Sequence, residues 1–353
     1  MTDADTGPVA VEPVALRQLL LHLFGSLGAP TVNAEIVVDH LIEASLMGVP
    51  SHGVMRVPSY LTAVEEGRVD PAARPVVADD RGSRAVLDAD RSFGPVAGTA
   101  ACAEAVARAE TGGGVAVVSV RGAGHLGRIG AYTEALAAAG LVGLGFCSLP
   151  PSDQNVAWAG ARVGRLGTNP VAFAFPASEG PIAADLSTSA TSEGRVRLAW
   201  NEGRTVAEGL IRDGHGRPVT DPGRFFADPP GTLEPLGGPA QAHKGSALAL
   251  MVEMMATLLA GEAVDDVARG SNLTLVAIAP SPGFTALADG LVAHIRAAEP
   301  VVPGQAVVVP GERARAARAA ATAVLVDGIS WNAIRAYAGR LGLDVPPTST
   351  ATS

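Results

Sequence analysis

Apolar residues recur at helical spacing near both ends of the chain and in short strand-length runs through its middle. Residues 13–26 set Leu16, Leu19, Leu20 and Phe24 on one helical face, and Asn33–Met47 does the same with Ile36, Val37, Leu41 and Ala44 before Gly48 and Pro50 end it. A third helix carries Tyr60, Leu61 and Val64 and stops at Gly67, with Pro58 in its first turn, where no backbone N–H is required. From about residue 75 the period shortens. Strands are predicted at 84–88, 114–120, 141–146, 171–175 and 273–279, and helices at 95–110, 128–139 and 245–260, the last opened by Lys244 with Met251 and Met254 on its core face. Residues 201–240, rich in Gly and Pro, read as a long irregular excursion. Helix returns over 312–342, where Ser330 is the expected cap of a segment holding Trp331, Ile334 and Leu341.

This order predicts a mixed α/β fold in three parts. Residues 1–75 and 285–345 form a helical domain from both termini, 76–284 form a central α/β domain, and 346–353 form a disordered tail. With 48% hydrophobic and only 4% aromatic residues, the core must rest on Ala, Val and Leu. A net charge of −9, with no basic patch of interleaved aromatics, argues against a nucleic-acid partner. An acidic N-terminus and the lack of a long apolar run predict a cytoplasmic protein with no membrane segment. Cys102 and Cys147 read as two buried, reduced thiols.

One basic side chain stands apart. Among 26 Lys and Arg residues the only lysine is Lys244, a compact point charge where the sequence otherwise writes the planar guanidinium. A glycine loop, Gly122-Ala123-Gly124-His125-Leu126-Gly127, follows a strand and opens a helix, as a dinucleotide fingerprint would. It lacks the acidic residue about 20 positions on that would hold a ribose, since no Asp or Glu occurs from Ala135 to Ser152. His125 is then better read as the point of the loop. Four other stretches gather polar groups. Ser51-His52-Gly53-Val54-Met55-Arg56 offers a proton-transferring imidazole beside a guanidinium that can clamp a carboxylate. Thr168-Asn169 precedes a strand, Asp185-Leu186-Ser187-Thr188-Ser189 leaves one, and His243-Lys244 sits at a helix start. Each alone suits a turn, a cap or a solvated face equally well. No metal-ligand spacing and no nucleophile elbow appears.

In order, SHGVMRVPSY (51–60), GHLGRIGAY (124–132), RLGTNPVAFAFP (165–176), ADLSTS (184–189), PLGG followed by HKG (235–245) and VPGE (309–312) resemble the malate/L-lactate dehydrogenase family of NAD(P)-dependent oxidoreductases that lack a Rossmann domain. The resemblance spans about residues 12–342. It implies a family-specific non-Rossmann NAD(P)-binding central domain, a homodimer, and exchange of hydride between NAD or NADP and a 2-oxo or 2-hydroxy acid. One branch reduces cyclic imino acids. By resemblance, Arg56 and Tyr60 would meet the substrate with Thr168 and Asn169, and His52 and His125 would be the candidate proton donors. Asp185 would orient a histidine. Ser148, Asp185, Leu186, Ser187, Thr188, Ser189, His243, Lys244, Pro310, Gly311 and Glu312 would surround the cofactor. No metal is implied. The chain departs from the family pattern at Ala123 and Gly124, at His243, at Ser148 and in the loop 149–160, all near the expected pocket.

Overall fold

The computed structural model describes residues 7–264, 266 and 270–350. The helices used below are α1 (Pro13–Ser26), α2 (Thr31–Leu46), α3 (Val57–Glu65), α4 (Gly94–Thr111), α5 (Gly130–Ala138), α6 (Glu193–Asn201), α7 (Gly238–Glu253), α8 (Phe284–Arg296), α9 (Glu312–Ala320) and α10 (Gly328–Arg340). Seven strands make the main sheet: β1 (Val76–Arg81), β2 (Arg84–Asp88), β3 (Val115–Ala123), β4 (Val142–Ser148), β5 (Val171–Phe175), β6 (Ile182–Leu186) and β7 (Ser271–Ile278).

The sheet runs β1-β2-β3-β7-β4-β5-β6, and of its neighbouring pairs only β2 and β3 are parallel. The β3–α5–β4 stretch therefore does not form the adjacent parallel pair of a Rossmann unit. β7 arrives from late in the chain and pairs antiparallel with both strands. Its residues Leu273, Leu275 and Ala277 are fully buried, and the Thr274 hydroxyl meets Ser119 at 2.8 Å inside the sheet. On one face lies α4, where Ala97, Ala101, Ala105 and Ala109 share a core with Val118, Val120 and Leu273. Small side chains let helix and sheet approach closely, so the shortage of aromatics costs little packing.

Both chain ends contribute to a second core. Leu16, Leu20 and Phe24 of α1 pack with Val37 and Leu41 of α2, Leu61 of α3, and Trp331 and Ile334 of α10. The α8 helix sits elsewhere: Phe284 stacks on Phe175, and Asp289 accepts from the Ser178 N–H and hydroxyl.

Four expectations are corrected. The 201–240 stretch is not wholly irregular. Ile211–Arg212, Pro218–Val219 and Thr232–Leu233 join Val156–Ala157 and Gly164–Leu166 in a five-stranded sheet over Val196, Ile211, Phe225 and Leu233. These strands are too short to carry a hydrophobic period. The expected tail instead supplies Thr348–Thr350, paired with Val9–Val11. An edge strand needs backbone partners rather than apolar side chains. Asp327, not Ser330, caps α10, accepting the Ser330 N–H at 3.0 Å. Finally, α7 starts at Gly238 and kinks at Gln241, and Met251 and Met254 face outward, 39% and 51% exposed.

Candidate active site

Two tight turns after α2, Pro50–His52 and Val54–Arg56, carry His52 and Arg56 and run straight into α3. The loop after β3 carries His125. The two imidazoles stack nearly parallel, with centroids 5.5 Å apart and planes 12° apart. Tyr60 of α3 fixes one of them. Its hydroxyl lies 2.9 Å from His125 Nδ1 and donates to the His125 carbonyl at 2.9 Å. The Gly127 N–H also points at Nδ1, at 3.3 Å. An Nδ1 that accepts a backbone N–H leaves the proton of the neutral ring on Nε2. His52 is different. Its Nδ1 is buried with no hydrogen-bond partner among the described residues. A buried polar atom left open is costly, and in a polar site it marks the place of a ligand group or a water.

Arg56 lies beside the histidines. Its Nε donates to the Ser51 carbonyl at 2.7 Å, and Nη2 stands 4.0 Å from Glu193 Oε2 at the start of α6. The Ser51 carbonyl thus fixes the guanidinium through Nε. Burial and the Arg56 charge push His52 down to about 3 and hold His125 well below its ordinary range. Burial holds the Tyr60 phenol above the ordinary tyrosine range.

A third histidine escaped the sequence reading. His40 of α2 accepts the Arg128 N–H at 3.0 Å through Nε2 and stacks on Tyr132, and burial followed by the Arg128 charge lowers it to about 4. Val37, His40 and Ala44 share one helical stripe, so a titratable residue in that buried stripe was the available signal. Arg128 in turn makes a bidentate pair with Glu134, at 2.8 and 2.7 Å.

The loop is also held from behind. A Cβ placed on Gly94 would lie 2.1 Å from the His125 carbonyl oxygen and 2.6 Å from Leu126 Cα, both backbone atoms. Gly94→Ala must therefore displace the His125 loop. Because a misplacement of about 1 Å can cost about 10²-fold, kcat is expected to fall by about that factor. Steady-state kinetics with a melting curve alongside checks it, and unchanged kcat in a folded variant would contradict this packing.

Several predicted residues take other places. Asp185 does not meet either histidine. Its Oδ2 accepts the Gly130 N–H at 2.8 Å at the start of α5, and burial raises its carboxyl to about 6. It braces the end of the loop that bears His125 and Arg128, because the chain turns into α5 at Gly130, just after Arg128. Asn169, at a left-handed φ of 33°, donates to Glu253 at 2.8 Å and to the Ala249 carbonyl, while its Oδ1 stays unpartnered among the described residues. Thr188 donates to the carbonyls of Thr168 and Asn169, and Ser187 bonds Ser189, so the strap hydroxyls mostly hold the strap itself. Ser148 bonds Thr257, which reaches Glu253. Leu186 is half exposed, and His243 and Lys244 are exposed on α7. The Pro310 carbonyl accepts from Ala183, and Glu312 pairs with Arg296 and accepts the Val309 N–H. Gly311 of the same turn packs against Pro181 and Arg315, which with Arg128 line a cleft of about 430 Å³ between α2, α5 and α9.

The match to known proteins is unambiguous. Residues 11–334 fit the model of the family described as malate/L-lactate dehydrogenase. The chain belongs to that family. An L-lactate dehydrogenase of Cupriavidus necator is 34% identical over 94% of this chain and 97% of its own. A solved Δ1-piperideine-2-carboxylate reductase of Pseudomonas syringae superposes with a TM-score of 0.80 at 30% identity, covering 93% of this chain and 99% of that one. The sulfolactate dehydrogenase structure from Methanocaldococcus jannaschii gives 0.82 at 27% identity, over 95% and 98%. The family is one of oxidoreductases, and it implies a nicotinamide cofactor. The cleft, where Arg315 makes no ion pair among the described residues, fits such an anionic dinucleotide. The same dehydrogenase scaffold accounts for the mixed, non-Rossmann sheet.

Proposed function

We propose that the protein interconverts a 2-oxo acid and the corresponding 2-hydroxy acid with a nicotinamide dinucleotide. The observation that carries this is the open, buried Nδ1 of His52, set beside the guanidinium of Arg56 and stacked on a tethered His125. Arg56 takes the substrate carboxylate. His52 gives a proton to the carbonyl oxygen in reduction and removes the hydroxyl proton in oxidation. His125 and Tyr60 keep the His52 ring in place, and Asp185 braces the loop. Lys244, Ser187, Ser189 and the 310–312 turn border the dinucleotide. When bound, the nicotinamide supplies or accepts the hydride at the substrate carbon, so one hydride and one proton reduce each carbonyl.

The Glu193 carboxylate, 4.0 Å from Arg56, favours a second substrate class. A cyclic imino acid offers a carboxylate for Arg56 and a protonated nitrogen that a carboxylate can hold. The test follows NADH and NADPH oxidation at 340 nm against 2-oxo acids and cyclic imino acids, with His52→Ala as control. Turnover on neither class would refute both readings.

Lysine cannot reproduce a two-pronged grip on a carboxylate. Arg56→Lys is expected to lower kcat/KM by about 10–100-fold, mostly through KM, the cost of a hydrogen bond to a charged group. An unchanged KM would remove Arg56 from the substrate site. A homodimer is supported by the apolar side chains that α7 and α8 leave exposed, among them Leu248, Met251, Leu287 and Leu291. Light scattering on the purified protein decides it. Two buried cysteines fit a reducing, cytoplasmic setting.

A further inference from the structure

The two stacked imidazoles are carried by segments far apart in the chain. His52 lies on the turn that follows α2, and His125 lies on the loop between β3 and α5. Their overlap therefore depends on how that loop is registered against α2. His40, a residue of α2 itself, makes such a contact.

Four successive residues of the loop each have a backbone group engaged by a ring. Tyr60 donates to the His125 carbonyl at 2.9 Å, and Tyr132 donates to the Leu126 carbonyl at 2.5 Å. The Gly127 N–H donates to His125 Nδ1 at 3.3 Å, and the Arg128 N–H donates to His40 Nε2 at 3.0 Å. The last two N–H groups are separated by the backbone of Gly127 alone, which stands at φ +67°. A glycine in the left-handed region gives the loop its freest point, so the contacts on either side must hold it. His40 does so closely. A Cβ on Gly127 would lie 2.2 Å from His40 Nε2 and 2.7 Å from Cδ2, so the ring fills the space that a side chain there would need.

His40 also stacks on Tyr132, with centroids 5.6 Å apart and planes 25° apart. Val37 and Leu41 of α2 belong to the core built from both chain ends, whereas Tyr132 belongs to the core under the sheet. The ring thus stands at the seam of the two cores and ties the loop to the helix that leads to His52. A nitrogen that accepts a backbone N–H carries no proton of its own. Neutral His40 therefore holds its proton on Nδ1, and neutral His125 holds its proton on Nε2. The two rings take opposite tautomers.

We propose that His40 is a positioning residue for proton transfer: by accepting the Arg128 N–H it fixes the backbone at Gly127, and through it the tautomer of His125 and its place against His52. The proposal rests on the reading of the stacked pair given above. His40→Phe keeps a ring on Tyr132 and leaves the Arg128 N–H without its acceptor. It is expected to lower kcat by about 10–100-fold, the effect of an unmet backbone donor and a displaced loop. KM for the acid should stay close to that of the wild type, because Arg56 is anchored on its own turn. His40→Gln gives up the stack but keeps an oxygen in place of Nε2, and it should recover most of kcat. Steady-state kinetics are read with melting temperatures alongside. NMR of protein carrying nitrogen-15-labelled histidine reads the tautomers near neutral pH, with the His125 signal assigned from a His125→Gln sample. The wild type should show the His40 proton on Nδ1 and the His125 proton on Nε2, a state that His40→Gln keeps and His40→Phe loses. Full kcat in a folded His40→Phe, equal losses in the two variants, or a KM that rises as far as kcat falls overturns the proposal. So does a wild-type spectrum with the His40 proton on Nε2, a result that requires neither a folded variant nor turnover. Should the wild type turn over no 2-oxo or imino acid, the substrate reading fails, and the tautomers still decide whether His40 sets His125.

Discussion

His52→Ala is expected to lower kcat by about 10²–10⁴-fold, the usual worth of a positioned proton donor or acceptor. KM for the acid should change far less, because Arg56 and its anchor on the Ser51 carbonyl remain. The expectation follows from how differently the two stacked rings are tied. His125 spends Nδ1 on Tyr60 and the Gly127 N–H, whereas His52 keeps a buried Nδ1 with no partner among the described residues. In the free enzyme burial comes first, and then the charge of Arg56, in holding His52 near 3, so the ring is neutral and ready to accept the proton of a 2-hydroxy acid. Reduction needs the protonated ring. A substrate carboxylate seated on Arg56 cancels the charge that opposes protonation, and the pKa governing kcat should lie above that of the free enzyme. The pH profile of kcat for reduction, compared with kcat/KM, reads this directly. If His52→Ala kept nearly full activity while His125→Ala lost it, the two roles would have to be exchanged.

Stability should fall steeply on mild acidification. His40 near 4, His52 near 3 and His125 well below 6.5 are all held neutral by burial in the folded protein. Unfolded, each titrates near 6.5. Below that pH the unfolded chain binds more protons than the folded one, so stability rises with pH across the window and is lost as pH falls through it. Each group contributes a slope of up to about 1.4 kcal/mol per pH unit. Asp185 acts in the opposite sense. Its carboxyl is raised to about 6, so the folded protein gains from its protonation as pH falls, but one group opposes three. The melting temperature should be nearly level from pH 8 to 7 and drop below about 6.5. His40→Gln keeps an acceptor for the Arg128 N–H while removing one titrating ring, and it should make the slope shallower. A melting temperature unchanged between pH 7 and 5 would contradict the neutral, buried state of these rings.

Much of the fold was legible in the sequence because long, regularly spaced elements announce themselves. The Leu16–Leu20–Phe24 stripe, the run at 84–88 and the alternation at 171–175 all lie where their spacing placed them. What stayed hidden was non-local. Nothing in Ser271–Ile278 says that it enters between β3 and β4, and two-residue strands such as Ile211–Arg212 have no period to read. At the site, motif order brought out His52, Arg56 and His125, which the fold gathers together. It could not show that Asp185 spends its carboxylate on a backbone N–H, or that His40 stands behind the loop, because both depend on contacts between distant segments.

The position of β7 sets the order in which this enzyme can come into being. The loop bearing His125 leaves β3, and the middle of the sheet on which β3 rests stays open until residues 271–278 have been made. The core under His52 likewise waits for Val324, Trp331 and Ile334. At roughly 5–20 residues per second, a ribosome finishes both histidines long before either has a stable setting. A nascent chain of the first two hundred residues would display an unpaired β3 edge and an uncovered leucine face, a natural client for a chaperone. Activity should then emerge only with the last helix, in one late step.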